Sequence, residues 1–495
     1  MKNIRTNAIA NFLVRMFNVV FPLITTPYIN RVMNNSDGYG YFNGADSLLL
    51  LFIPFATFGV YNYGIRQISK AKHDPEQVNR IFSTLFYLTF VASMLTTAIY
   101  VLYVLLNAQN DQQLAIYLVM ASQIAVQFLY IEWMNEALED YRFILYKTLF
   151  IRVLMLGLLF AFVHKAEDVL LYAVIMSGIQ VINYVISFMW IKRKIVLVRV
   201  PLKEITVLIL PLLGLLLMAN AGTLYTILDR IVLERIAPPQ AVTDYVQGQK
   251  IAMMIAGLIS GPVSVSIPRL GYYLGIKDNA AYDALVYKGG KMFAFFIVPI
   301  SVGLFLTGGY AMALFGGPAY MKAGEISSVF GIRCIAWALE ILLANQVIFI
   351  HGYEQKLTTA LFGCGLLNLV FKVSLATMGI NDPVYYIATT LLAECVLIGW
   401  EFLIIKQNNL INVKPIVADF MRYTLYTIGF IPIYLGVNYF NPVKMQISLP
   451  FLINLAVIVA GSVIYYIGVL WYKQDAIFIS VWDKVKQKIM RGGTA

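Results

Sequence analysis

Charge is scarce in this chain. Only 13% of its 495 residues are Asp, Glu, Lys or Arg, while 60% are hydrophobic. A soluble protein of this length could not cover its surface with so few charges. Cysteine is scarce too. Cys334, Cys364 and Cys395 each stand inside an apolar run, which argues against a disulfide framework and against a cysteine metal site. The three histidines, His73, His164 and His351, are far apart and predict no metal site. GxxxxGK[ST], HExxH and GxSxG are all missing. No P-loop or hydrolase motif is left to carry a chemistry.

What is present is a succession of apolar runs, with a mean hydropathy of +0.74. Spans of about 20 apolar residues define an integral membrane protein. Hydropathy places fourteen of them at 7–32, 40–65, 81–106, 114–138, 143–163, 168–191, 207–233, 243–268, 290–310, 325–350, 357–379, 383–405, 418–438 and 448–472. The short connections leave no room for a soluble domain. MKNIR is a basic start, but the run behind it is too long for a signal peptide and carries Arg15, so it reads as a retained first helix. The net charge of +11 fits basic cytoplasmic loops better than nucleic acid. With the N-terminus in the cytoplasm, Arg66, Lys70, Lys72, Arg80, Lys147, Lys192, Arg193, Lys194 and Arg269 share that side with the C-terminal lysines. Few basic residues, among them Arg31, Lys165, Arg230 and Lys322, fall opposite. Both termini are therefore expected to be cytoplasmic.

A weak internal repeat runs through these helices. NRVMNNSDGYGYFNGAD (30–46) is matched by DRIVLERIAPPQAVTDYVQGQK (229–250), and ALEDYR (137–142) by IFIHGYEQ (348–355). The spacing from Tyr41 to Arg66 is 25 residues and from Tyr245 to Arg269 is 24. Helices 1–6 and 7–12 thus form a parallel repeat. The expected organisation is an N-lobe over 1–191, a basic linker over 192–206, a C-lobe over 207–406, and two further helices with a basic tail over 407–495. Two similar lobes facing each other suit a transporter with a central cavity.

The first helix carries a polar stripe. Asn7, Asn11, Arg15, Asn18, Pro22 and Thr25 stand on one helical face. Such a stripe faces protein or water rather than lipid. Asn43, Asp46 and Pro54 continue the pattern on the second helix, Asn220, Thr223 and Arg230 on the seventh, Gln247 and Lys250 on the eighth, and Arg333, Trp337 and Glu340 on the tenth. The candidate cavity residues are Arg15, Asn18, Asp46, Lys250, Arg333, Glu340, Arg31 and Arg230. Pro22, Pro54, Arg66 and Arg269 are candidates for gating at the cytoplasmic mouth. Arg15 has two other readings: snorkelling to the interface, or an ion pair with Asp46 or Glu340. Arg31 and Arg230 also read as outer-end anchors, and Lys372 and Glu394 as a neutralising pair. The interior set is mainly cationic, which suits an anionic substrate, since arginine forks fit phosphates and carboxylates.

FGVYNYGIRQISKAKHD (58–74), PYINRVMNNSDGYGYFN (27–43), WMNEALEDYRFI (133–144) and LDRIVL (228–233) together resemble the Wzx-type oligosaccharide flippases. These belong to the polysaccharide transport branch of the superfamily that includes MATE multidrug transporters and lipid II flippases. ERIAPPQAVTDY (234–245) departs from the glycine-containing turn seen at SDGYGYF. The resemblance implies an all-α bacterial membrane protein with about fourteen helices, two six-helix lobes and two extra C-terminal helices. Its implied activity is moving undecaprenyl-pyrophosphate-linked oligosaccharide to the outer leaflet by alternating access. Helices 1, 2, 7 and 8 would line the cavity. Tyr28, Tyr61 and Tyr225 could stack on sugars, or simply pack. The implied partners are the lipid-linked glycan, membrane lipids, a polysaccharide polymerase and a chain-length regulator, with no nucleic acid. No cofactor is expected, and whether a proton or sodium gradient drives transport stays open. The competing readings are a cation-coupled MATE-type antiporter, which would want buried acids such as Asp46, and a membrane polymerase or ligase, which would want large outer loops.

Overall fold

The computed structural model describes residues 4–220 and 222–483, without the side chains of 4–13, 15, 16, 18–20, 217–219, 223–226 and 258–265. Among the described residues every regular element is helical. In order they are α1 (Ile4–Met33), α2 (Asp37–Thr57), α3 (Val60–Ala71), α4 (Pro75–Asn107), α5 (Asp111–Ala125), α6 (Glu132–Ala137), α7 (Tyr141–Phe162), α8 (Val169–Lys192), α9 (Leu202–Asn220), α10 (Thr223–Ile236), α11 (Pro239–Gly275), α12 (Asn279–Gly316), α13 (Met321–Leu343), α14 (Glu354–Thr377), α15 (Pro383–Gln407), α16 (Lys414–Tyr426), α17 (Phe430–Phe440) and α18 (Leu449–Tyr472). The helix starts follow from local chemistry. Asp74 caps α4, accepting from the Glu76 and Gln77 amides at 3.1 Å each. Pro75 occupies the first turn of α4, where its missing N–H costs nothing. Asn110 caps α5 and Asp382 caps α15 in the same way.

Ten helical stretches among the described residues are long and apolar enough to cross a membrane. Their outward faces are apolar as well: Leu102, Leu106, Leu366 and Ile464 are largely exposed. Apolar faces without apolar protein cover belong against lipid, so the chain is a multi-pass membrane protein. The expectation of fourteen spans is met in class, with ten confirmed by length and hydropathy. The other four fall on α1, α9–α10, α11 and α16–α17. Of these, one comprises the two helices α9 and α10, one is interrupted at 427–429 between α16 and α17, and α11 carries Asp244, Gln247, Gln249 and Lys250 within its first half.

Contacts divide the chain into two compact units, Met1–Thr243 and Asp244–Ala495. The repeat places α9 and α10 with the second half of the chain, whereas their packing places them in the first unit. Arg80 of α4 binds Glu204 of α9 with both its Nε (3.0 Å) and a terminal nitrogen. That hydrogen bond holds the Glu204 carboxyl below the ordinary glutamate range. α2 stops at Thr57, three residues after Pro54, whose carbonyl accepts the closing hydrogen bond from the Phe58 amide. Phe58 (φ 50°) and Gly59 (φ 69°) then turn the chain into α3. A Cβ at Gly59 would stand 2.8 Å from the Leu212 carbonyl of α9, so only glycine fits.

In the second unit α12 and α13 pack through small residues. A Cβ on Gly308 would lie 2.5 Å from the Gly324 carbonyl, and one on Gly331 would lie 2.7 Å from the Phe305 nitrogen. Close backbone approach of this kind is how membrane helices gain dispersion energy where lipid offers no hydrophobic drive. α13 ends in a π-helical segment, Ala344–Phe349. The segments matched as ALEDYR and IFIHGYEQ share a local geometry. Each leaves an irregular helical turn through a left-handed residue, Glu139 (φ 59°) or Gly352 (φ 80°). A new helix starts two residues later in both, at Tyr141 and Glu354. The structural match is one residue off the sequence match.

Candidate functional site

In the first unit, the corner formed by α10 and the start of α11 docks on α2, α4 and α5. Asn43 of α2 donates its Nδ2 to Thr243 Oγ1 at 3.1 Å and to its own helix at the Tyr39 carbonyl (2.8 Å). The Tyr117 hydroxyl of α5 donates to the Glu234 carboxylate of α10. Arg235 lies 5.0 Å from the centre of the Tyr103 ring and bonds its hydroxyl. Gln240 bonds Asp37. Gly40 makes the approach possible, since a Cβ there would meet the Pro239 carbonyl oxygen at 2.3 Å. This corner holds the segment in which sequence alignment expected a second glycine turn. Ala237 is extended instead, and the close approach is supplied by glycine on α2.

A second cluster lies deeper in the same unit. Lys147 of α7 is 7% exposed and donates to Glu132 Oε2 (2.6 Å) and Ser187 Oγ (2.7 Å). The Ser187 hydroxyl in turn donates to Glu132 at 2.8 Å. Nearby, the Tyr61 hydroxyl donates to Glu136 Oε1 at 2.7 Å, and its ring stacks on Tyr130 at 6.0 Å. The short helix α6 carries both acids.

In the second unit, two helices each present charges two turns apart: Arg333 and Glu340 on α13, Glu394 and Glu401 on α15. Arg333 is 6% exposed and donates from Nε (3.0 Å) and a terminal nitrogen to Glu394 Oε1. Its guanidinium also lies 5.6 Å from the centre of the Phe330 ring. Seven residues further along both helices, Glu340 and Glu401 occupy the next matching positions. The Lys372 amine of α14 is held by the Tyr386 carbonyl and by the Thr389 (2.6 Å) and Thr390 (2.8 Å) hydroxyls.

The structure distributes the sequence candidates unevenly. Arg15 and Asn18 lie on α1, and Tyr225 on α10, with side chains outside the described residues. α1 runs unbroken through Pro22 and Pro27, and only Pro54 precedes a break. Asp46 and Lys250 are partly buried, and Arg230 is buried, each with polar or electrostatic neighbours. Arg31 is exposed and bonds the Pro27 carbonyl of its own helix at 3.0 Å. Arg66 and Arg269 are exposed and lie near the Tyr63 and Tyr273 rings, at 5.8 and 5.7 Å. Arg333 differs most from expectation. It is buried in an ion pair across α13–α15, so its charge is already balanced inside the unit. Glu394, expected to neutralise Lys372, is the acid that receives it. Lys147, taken as a loop charge, is also buried in a pair. Tyr28 and Tyr61 are engaged structurally, Tyr28 through its hydroxyl to the Val163 carbonyl (2.6 Å).

Tyr117, Glu132, Glu234 and Glu401 were missed. For Glu401 a signal existed: its seven-residue spacing from Glu394 repeats that of Arg333 and Glu340. Among the described residues, no three His, Cys, Asp or Glu side chains converge as a metal-binding group.

An all-helical, multi-pass bundle with buried polar clusters in each unit defines a membrane protein of the transporter type. The chain belongs to the polysaccharide biosynthesis protein family, whose sequence profile matches residues 4–273. It is 21% identical over 415 residues to an Escherichia coli K12 protein provisionally named an O-antigen transporter, covering 83% of this chain and 98% of that one. A Shigella dysenteriae protein of the same provisional name is 19% identical over 373 residues, covering 75% and 92%. The fold is similar to that of the lipid II flippase MurJ in an inward closed conformation, with a TM-score of 0.68 at 14% identity over 95% of this chain and 99% of that one. An inward-facing MATE multidrug transporter gives 0.58 at 14% identity, covering 81% and 98%.

Proposed function

We propose that this chain is a lipid-linked oligosaccharide flippase of the bacterial cytoplasmic membrane. It carries undecaprenyl-pyrophosphate-linked sugar repeat units from the cytoplasmic to the outer leaflet by alternating access. The observation that supports this best is the conjunction of the family match with a lipid II flippase fold over nearly the whole chain. The polar stripe of α1, with Arg15 and Asn18, and the cations Lys250 and Arg230 are the residues we assign to the anionic head of the substrate. The glycan passes to a polymerase and chain-length regulator on the outer side. An ion gradient is the energy source, and no bound cofactor is needed. The basic loops put both termini in the cytoplasm.

The test uses cells in which the chain can be depleted. Lipid-linked repeat units should accumulate in a form that an impermeant glycosidase reaches only after the membrane is opened, while surface glycan falls. In the same cells, a variant lacking native cysteines should react with an impermeant maleimide when cysteine is placed at Asn110, and not at Lys192 or Lys194. Unchanged surface glycan on depletion would remove the function; the reverse labelling pattern would remove the orientation.

A further inference from the structure

α13 and α15 cross the membrane region side by side and present two rungs of charge. The first rung, Arg333 with Glu394, is an acid balanced by a base. The second, Glu340 with Glu401, lies two turns away, about 10 Å along each helix, and consists of two acids. Glu401 is 0% exposed, and neither of its carboxyl oxygens has a hydrogen-bond donor. The register set by the Arg333–Glu394 pair, carried seven residues along both helices, brings Glu340 of α13 to the same level. Glu340 itself is half-buried. Two bare carboxylates facing each other in so dry a place repel strongly, and an unpartnered buried anion is costly on its own account. One proton shared between them ends the mutual repulsion and gives the carboxylate that stays ionised a hydrogen-bond donor.

We propose that Glu340 and Glu401 form a proton-binding carboxyl pair that couples transport to the proton gradient. This rests on the transport function proposed above. In one state of the cycle the two carboxyls share a proton and the pair carries one negative charge. In the other they separate, the O–H bond of the pair breaks, the proton passes to water through Glu340, and both carboxylates are ionised. No other bond changes.

The neighbouring groups fit this assignment. On the same helices the other charged groups are Arg333 and Glu394, which face each other, Lys322 and Glu325 in the first turns of α13, and Lys406 in the last turn of α15, with the thiols Cys334 and Cys395 beside the first rung; α12, packed along α13, carries Tyr282, Asp283, Tyr287, Lys288, Lys291 and Tyr310, and α11, also packed on α13, carries Asp244, Tyr245 and Lys250 in its first half. On α14, Lys372 is committed to the Tyr386 carbonyl and two threonine hydroxyls, and Cys364 is a buried thiol outside any disulfide. The π-helical segment packed against α15 has no titratable side chain. A metal ion is the poorer occupant, because no third acid, histidine or cysteine joins the pair among the described residues. The same segment supplies a two-state element. It begins four residues after Glu340, and its first amide, that of Ala344, bonds the Glu340 carbonyl. π turns concentrate at functional sites. A one-residue change of helical register there turns a side chain by about 100°, enough to carry Glu340 away from Glu401.

Two readouts test the pair. The first needs no glycan. Infrared difference spectra of the reconstituted chain across a pH jump should show a buried carboxylic acid band that both Glu401→Gln and Glu340→Gln remove. Glutamine keeps the shape of a protonated glutamate, so both variants should insert and fold. The second is the leaflet distribution of a polyprenyl-pyrophosphate oligosaccharide in proteoliposomes. For one proton per substrate it should shift about tenfold per pH unit of imposed gradient in wild type, and not at all in either variant. A band that survives both substitutions overturns the pair. A band lost in both variants whose glycan distribution still follows the proton gradient overturns the coupling, as does a wild type driven by sodium alone. A wild type that moves no glycan under any gradient refutes the transport function, whereas loss of the band in both variants would still establish the proton site.

Discussion

Cells that rely on Arg15→Ala are expected to lose surface glycan while the protein stays in the membrane at wild-type level. A charge at the centre of a span costs about 2.5–3.5 kcal/mol on insertion scales. Replacing it with alanine makes α1 easier to insert, so a transport defect would not be an insertion defect. Arg15 also lies on a stripe with Asn7, Asn11, Asn18 and Thr25, which gives it a polar path rather than a single contact. A charge-assisted hydrogen bond to a pyrophosphate is worth about 1.5–3 kcal/mol, enough to decide whether the substrate is held. Arg15→Lys keeps the charge without the planar fork and should retain part of the export. Surface glycan measured at matched expression checks this. Full export by Arg15→Ala would reduce the residue to a snorkelling cation.

The second large effect concerns stability. Lys147→Met should lower the melting temperature and the detergent-stable yield sharply. Glu132 would then sit in the interior without its cation, and removing one partner of a buried ion pair costs about 3–5 kcal/mol. Lys147→Met combined with Glu132→Gln should recover most of the loss, because it removes both charges and leaves Ser187 a neutral partner. The triad joins α6, α7 and α8, so its failure should loosen the short helix that also carries Glu136. Thermal unfolding of single and double variants checks the pair. Equal melting of Lys147→Met and wild type would mean that the charge is solvated.

These two residues also show how far the sequence could be read. Membrane class was legible because hydropathy is local, and the helix that carries Arg15 was legible because its apolar run is continuous, while the stripe itself falls on side chains outside the described residues. Lys147 was misread because it follows Arg142 closely and looked like a loop charge. What buries it is the six-residue helix α6, too short to announce itself by periodicity. Arg333 and Glu394 were each noticed, but their pairing depends on α13 and α15 lying side by side, a tertiary fact. Glu401 went unnoticed, because a single acid near the end of an apolar run shows no partner in the sequence. Only its rung with Glu340 reveals it. The outer corner was hidden for another reason. The sequence search looked for a glycine in the loop at 234–245, and the structure places the required glycine on the partner helix, at Gly40.

The most direct measurement is flipping by the purified chain. Proteoliposomes would carry polyprenyl-pyrophosphate oligosaccharide in both leaflets, and an impermeant glycosidase would be added outside under an imposed proton gradient. Digestion that runs past the outer-leaflet share to completion, only in vesicles containing the chain, is the expected result. Digestion that stops at the outer-leaflet share, as in empty vesicles, would contradict the assignment of this protein as a lipid-linked oligosaccharide flippase.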